Sequence, residues 1–282
     1  MARLVDCWQH IPEHINPAFL EIGSFQLRYY GLMYIVAFSV VYLLVIRRID
    51  HDEGFDYSRE TIQNYLVWAV AALLIGGRLG YVLFYNLDYY LAHHPLAVIF
   101  PFDLSDGFRF VGISGLSYHG GLVGIIVASV IFLRRQGINF WNFADLFCPA
   151  IPLGYTFGRI GNFLNGELYG RVTDVWWGMY FPQDPLHALR HPSQLYEAFF
   201  EGIFLFIILW SVRNRRHAEG ILFPLYLIGY GTVRFCIEFF REPDPQIGFV
   251  AGALSMGQAL CLAMILCGAG IIWMKKRRGD AI

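Results

Sequence analysis

Residues Gly158 to Arg171, GRIGNFLNGELYGR, set Arg159, Asn162, Asn165, Glu167 and Arg171 among Gly158, Gly161, Gly166 and Gly170. The glycines let the backbone turn tightly, and the guanidinium and amide side chains supply the donors that an anionic group needs. A second polar set, Tyr230, Arg234 and Glu238, recurs every fourth residue in YGTVRFCIEFFREPD, with Arg241 three further on. At helical spacing these share one face. An arginine at the centre of a membrane helix costs about 2.5–3.5 kcal/mol on insertion scales, so it faces a partner or a wet cavity. A structural Arg234–Glu238 pair is the plainer reading; Tyr230 on the same face and a second arginine cluster favour a site.

His119 in SYHGGLVG has the residue type for a general base near neutral pH, with an unperturbed pKa of about 6.5. The plainer reading is a surface histidine at a helix start. His191 in HPSQLYE is a second candidate, although Pro192, Ser193 as a cap and Glu197 in the first turn also read simply as a helix beginning. Tyr30 and Tyr34 in RYYGLMY share a helical face and suit an interfacial aromatic belt. Arg78 in IGGRLGYVLFY reads equally well as a structural or a functional residue.

The elements that must carry these residues are membrane helices. Of 282 residues, 56% are hydrophobic and only 15% charged, against about a quarter charged in soluble domains. Apolar runs at 29–46, 65–85, 119–133, 141–157, 195–212, 221–237 and 255–274 predict an all-α polytopic membrane protein of about seven transmembrane helices. The fourth run carries Asp145, Pro149 and Pro152, which suits a re-entrant or broken helix. Basic residues collect after runs one, three, five and seven, among them Arg47, Arg48, Arg134, Arg135, Arg213, Arg215, Arg216 and the KKRR of 275–278. Positive residues stay cytoplasmic, so the N-terminus is expected outside and the C-terminus inside. Residues 1–28 lack the apolar core of a signal peptide, so the mature chain is expected to keep its start.

With no repeat or linker visible, residues 1–282 read as a single transmembrane catalytic domain with outer-face loops 86–118 and 158–194. A net charge of −1 with no basic aromatic stripe gives no reason to expect nucleic acid. Five cysteines without CxxC spacing imply neither a disulfide framework nor a metal site, and no cofactor is expected.

YYGLMY, YHGGL, GRIGNFLNGELYGR, HPSQLYE and YGTVRFCIEFFREPD together resemble the bacterial prolipoprotein diacylglyceryl transferase family, in matching order along the chain. The resemblance implies a seven-helix enzyme of the bacterial inner membrane whose site opens to the outer leaflet. It implies transfer of diacylglyceryl from phosphatidylglycerol to the lipobox cysteine thiol of a preprolipoprotein, with release of glycerol phosphate. It also implies catalytic roles for His119, Arg159, Arg234, Tyr230 and Glu167. Substrate-binding roles fall to Tyr30, Asn162 and Glu238, with Asn165 and Arg241 in matching motifs. The chemistry fits these residue types. The substrate thiol, with a pKa near 8.5, needs a base or a positive field, and His119 is the candidate base. Arginine forks suit the charge that grows on the departing phosphate.

Two other classes compete. GISG at Gly112–Gly115 matches the GxSG of rhomboid-type intramembrane proteases, but those enzymes take their histidine from a separate helix. An anion transporter also uses intramembrane arginines and broken helices, but more often with paired repeats, and none is visible here.

Overall fold

The computed structural model describes residues 2–22, 25–85, 87, 102–103, 109–110, 117–214, 219–242, 249–250 and 254–278. Most of the expected 86–118 outer loop, the GISG segment, Arg215 and Arg216 lie outside the described residues. The chain divides into two compact units, Met1–Phe55 with Trp141–Ile282, and Asp56–Phe140.

The first unit opens with α1 (Ala2–Gln9) and the antiparallel pair β1 (Ala18–Ile22) and β2 (Phe25–Arg28). It continues into α2 (Tyr29–His51). The second unit holds α3 (Arg59–Tyr85), a short β3–β4 pair (Phe102–Asp103, Arg109–Phe110) and α4 (Tyr118–Gln136). The first unit then resumes through α5 (Phe140–Phe147, from Trp141 onward), α6 (Ile151–Leu164), α7 (Ser193–Val212), α8 (Leu222–Ile237), the β5–β6 pair (Phe249–Val250, Leu254–Ser255) and α9 (Met256–Arg277). Among the described residues, α2, α3, α7 and α9 are long and apolar enough to cross a membrane, and α8 is a shorter apolar helix. A helix satisfies every backbone polar group within itself, which hydrocarbon requires.

Within the second unit, α3 and α4 touch backbone to backbone. A Cβ on Gly76 would overlap the Gly120 carbonyl oxygen, and one on Gly80 would meet the Gly120 Cα at 2.7 Å, well inside van der Waals distance. Only glycine allows this approach. Ser117 caps α4 by accepting the Gly120 N–H at 3.3 Å, and Gly137 ends it in the left-handed conformation.

The fourth apolar run is two helices, broken between Phe147 and Ile151, with Pro152 in the first turn of α6, where its missing N–H does no harm. The break leaves the buried Asp145 carboxylate facing the start of α8. It accepts the backbone N–H groups of Gly220 (2.7 Å), Ile221 (3.2 Å), Leu222 (2.9 Å) and Phe223 (3.1 Å). Those of Ile221, Leu222 and Phe223 are donors that an α-helix leaves unpaired at its N-terminus, and Gly220 stands just before them. Arg48 completes this node. Its guanidinium donates to the carbonyls of Asp145 and Leu146 and to the Asp52 carboxylate at 2.8 Å. The basic pattern suggests a loop at Arg47 and Arg48, yet α2 runs on to His51 and Arg48 is buried.

Candidate active site

Three helices of the first unit turn charged residues toward one another. On α6, Tyr155, Arg159 and Asn162 follow one face at helical spacing. Facing them on α7, Glu197 opens and Glu201 lies midway along a π-helical stretch, Glu197–Phe204, inside an otherwise apolar helix. Such widened turns concentrate at functional sites. On α8, Tyr230 and Arg234 precede Glu238, and a short turn brings Arg241 back to the same side.

Glu197 is the hub. Wholly buried, it lies 2.8 Å from Arg159 Nε and 3.3 Å from Arg234 Nη1 through Oε2, and accepts from Arg241 Nη1 at 3.1 Å through Oε1. The Tyr155 hydroxyl donates to Oε2 at 3.1 Å and accepts from Arg159 Nε at 2.6 Å. Arg234 reaches Glu238 at 3.0 Å and Glu201 at 3.5 Å. Its Nη1 is buried yet meets no acceptor in hydrogen-bonding geometry among the described residues. Glu238 also accepts from the Ser255 hydroxyl at 3.0 Å, at the capping box that opens α9. Burying so many charges is tolerable only because each has an opposite partner.

Around this hub the signature loop is fastened by two other motifs. Arg159 Nη1 donates to Asn162 (3.2 Å), whose amide donates to Glu167 (2.9 Å). The Glu167 carbonyl accepts from Gln194 (2.7 Å) and the Leu168 carbonyl from Ser193 (3.0 Å), both in the HPSQLYE segment. Ser193, expected as a cap, spends its hydroxyl on this contact, and Glu197 sits at the centre of the arginines. The Gly170 N–H donates to the His191 carbonyl at 2.8 Å, and the Arg171 N–H to the Phe240 carbonyl at 2.9 Å. A Cβ on Gly170 would lie 2.3 Å from the Phe240 oxygen and 2.9 Å from His191, so this position admits no side chain.

The remaining candidates divide. Tyr30 hydrogen-bonds Tyr34 at 3.0 Å and lies within electrostatic reach of Glu167 and Arg159. Tyr230 packs edge-on against Tyr155 with ring centroids 5.9 Å apart. Asn165 is buried, with its backbone carbonyl accepting from Gln183 at 2.8 Å and its side-chain oxygen meeting no donor in hydrogen-bonding geometry among the described residues. His191 contacts the Tyr196 hydroxyl at 3.1 Å, and burial holds its imidazole below the ordinary histidine value, hence neutral at neutral pH. His119 and Arg78 belong to the second unit. His119 is exposed in the first turn of α4, and Arg78 lies 6.0 Å from the Tyr81 ring, on the side of α3 away from the glycine seam.

Tyr155 and Glu201 were not among the residues expected from the sequence, and Glu197 was expected only as a first-turn acid. The signal was present in YEAFFEGIF, where two carboxylates four residues apart interrupt a membrane-length apolar run.

Beside the loop, Arg190 grips Asp184 with two contacts of 2.8 Å and reaches Glu242 at 3.1 Å. That guanidinium holds the Asp184 carboxyl below the usual carboxylate range. Helix α1 rests on the same loop region: Trp8 donates to the Trp177 carbonyl, and the Tyr180 N–H donates to the Gln9 carbonyl.

A family model described as Prolipoprotein diacylglyceryl transferase matches residues 17–274. The chain is 54% identical over 276 residues to a phosphatidylglycerol–prolipoprotein diacylglyceryl transferase of Chlorobaculum tepidum, covering 97% of this chain and 95% of the relative. Proteins of the same description from Geobacter sulfurreducens (45% identity, 94% and 97% covered) and Wolinella succinogenes (44%, 98% and 99%) are also similar.

Proposed function

Since the chain belongs to the prolipoprotein diacylglyceryl transferase family, we propose that its donor site is the cluster of arginines gathered on Glu197. The enzyme transfers the diacylglyceryl group from phosphatidylglycerol to prolipoprotein in lipoprotein maturation. The observation that carries the site assignment is the convergence of Arg159 and Arg234, from different helices, on one carboxylate oxygen. Two forks so close together suit a single phosphate, and Arg234 Nη1 has donor capacity to offer it.

In the proposed reaction the acceptor is the lipobox cysteine of a preprolipoprotein signal peptide. Its thiol sulfur bonds to the glycerol carbon of the diacylglyceryl group as the carbon–oxygen bond to phosphate breaks. The electron pair leaves on the phosphate oxygen, and glycerol phosphate departs. Arg159 and Arg234 stabilise that growing charge, while Glu197, Glu238 and Arg241 keep their forks aligned. Asn162 and Glu167 orient Arg159 and present polar groups to the headgroup; Tyr30 and Tyr230 contribute hydroxyls. His119 takes the thiol proton as base.

The same reading places the protein in the bacterial inner membrane, among membrane lipid, with about seven spans. Its N-terminus is outside, its C-terminus cytoplasmic, and the chain works as one catalytic domain. The Lys275–Arg278 cluster at the end of α9 supports that orientation.

Purified enzyme, phosphatidylglycerol and a lipobox peptide test the proposal. The expected products are a diacylglyceryl thioether on the peptide cysteine and free glycerol phosphate. Equal product from phosphatidylethanolamine would contradict the arginine cluster as a selective donor site.

A further inference from the structure

The buried charges between α6, α7 and α8 balance. Arg159, Arg234 and Arg241 stand against Glu197, Glu201 and Glu238, and adding the neighbouring Arg171 and Glu167 preserves the balance. A phosphodiester entering this cluster brings one more negative charge into a place already withdrawn from water. An uncompensated buried charge is unfavourable, and such sites commonly restore neutrality by taking a proton.

Among the three glutamates, Glu201 is the one placed to take it. Its side chain is wholly buried and neither oxygen meets a donor in full hydrogen-bonding geometry among the described residues, the neighbouring Tyr155 hydroxyl giving its proton to Glu197. Its cationic contact, Arg234 Nη1 at 3.5 Å, is shared with the closer Glu197 at 3.3 Å. By contrast, Glu197 is held by Arg159, Arg241 and Tyr155, and Glu238 by Arg234 and Ser255. The groups around Glu201 are Glu197 on its own helix, Tyr155 and Arg159 from α6, Arg234, Tyr230 and Glu238 from α8, Arg241 beyond it, and Cys261 from α9. A phosphate that engages Arg234 weakens the contact on which the Glu201 charge depends and leaves it four residues from the charged Glu197.

We infer that binding of phosphatidylglycerol is coupled to uptake of one solvent proton by Glu201, whose carboxylate becomes a carboxyl with a donor of its own. The inference rests on the arginine cluster being the donor site. It makes Glu201 a positioning residue that keeps the loaded cluster neutral, and it makes donor affinity pH-dependent where chemistry need not be. Above the pH at which free Glu201 loses its proton, affinity falls about tenfold per pH unit.

The test titrates short-chain phosphatidylglycerol into the purified full chain in detergent and weak buffer, with a pH-indicator dye and with phosphatidylcholine as control. At alkaline pH the wild type is expected to take up about one proton per lipid bound. Glu201→Gln is expected to bind without uptake and to show a KM nearly independent of pH. An infrared difference spectrum on lipid addition should gain a protonated-carboxyl band that Glu201→Asp shifts. Binding without proton uptake overturns the inference while leaving the donor site intact, as does uptake that persists in Glu201→Gln or a band that Glu201→Asp leaves unmoved. Equal binding of phosphatidylcholine overturns the donor-site reading itself.

Discussion

Arg159 of α6 and Arg234 of α8 meet at one atom, Oε2 of Glu197, at 2.8 and 3.3 Å. The carboxylate keeps two like charges together that would otherwise repel, and it does so in the geometry that a phosphate oxygen would also satisfy. Glu197 therefore both organises the site and occupies part of it, so a bound phosphate has to share or displace its contacts.

Replacing Arg159 or Arg234 by Lys separates a fork from a charge. If these groups clamp phosphate oxygens as charge develops, an ammonium cannot reproduce the paired donors. Removing a comparable donor elsewhere costs about 2.7–4 kcal/mol, or ~100- to 1000-fold in rate. Turnover by each variant is expected to fall at least about tenfold, with the KM for phosphatidylglycerol changed much less. Arg47→Lys, on the exposed side of α2, should be nearly silent. Near-normal rates in both site variants would leave the arginines without a clamping role.

Two glycines of the same signature should answer oppositely to alanine. Gly170→Ala puts a methyl group into the Phe240 carbonyl and His191, so it should lower both yield and activity by pulling the Arg241 turn away from Glu197. Gly158 lies inside α6 with nothing within 4 Å of its Cβ position, so alanine there should be tolerated and should stabilise by roughly 0.5–1 kcal/mol. Thermal melting and specific activity read both effects, and equal damage at the two positions would refute the contact at Gly170.

The Asp184–Arg190 pair predicts a particular acid response. Asp184 titrates lower in the folded chain than unfolded, where aspartate sits near ~3.9. Its contribution is therefore fully present above that value and is lost as pH falls through the folded one. Asp184→Asn should reduce the melting temperature at neutral pH, and the gap to wild type should close on acidification. A gap that stays constant down to acid denaturation would show that the carboxylate charge contributes nothing.

Orientation is open to labelling in a background with all five cysteines replaced. That background should retain turnover, because the reacting thiol belongs to the substrate; packing losses are expected at the buried Cys148 and Cys261. Leu186→Cys, on an exposed side chain, should react with an impermeant maleimide on intact spheroplasts, and Lys276→Cys only after permeabilisation. The reverse pattern would invert the topology.

Much of this architecture was legible because hydrocarbon imposes simple demands. Helices α2, α3 and α9 follow from the length of their apolar runs, and Pro149 and Pro152 marked the break between α5 and α6. The polar face of Tyr230, Arg234 and Glu238 followed from helical periodicity. What periodicity does not carry is the partner across the gap. Glu197 and Glu201 acquire their meaning only when α7 packs against α6 and α8, and the burial of Arg48 only when α5 lays two carbonyls beside it. Gly170 looked like a turn residue, and its true constraint is the Phe240 carbonyl seventy residues away.

The four amide hydrogens at the start of α8 receive their acceptor from Asp145, a residue synthesised long before them. In chain order the acceptor thus precedes the helix that it caps, and one carboxylate ties the broken fourth run to the start of α8. Until α8 docks there, Arg234 has neither Glu197 nor Glu201 beside it. Assembly of the anion site therefore waits on the docking of α8, because without it the Glu197 carboxylate keeps only Arg159 and Tyr155 among the described residues.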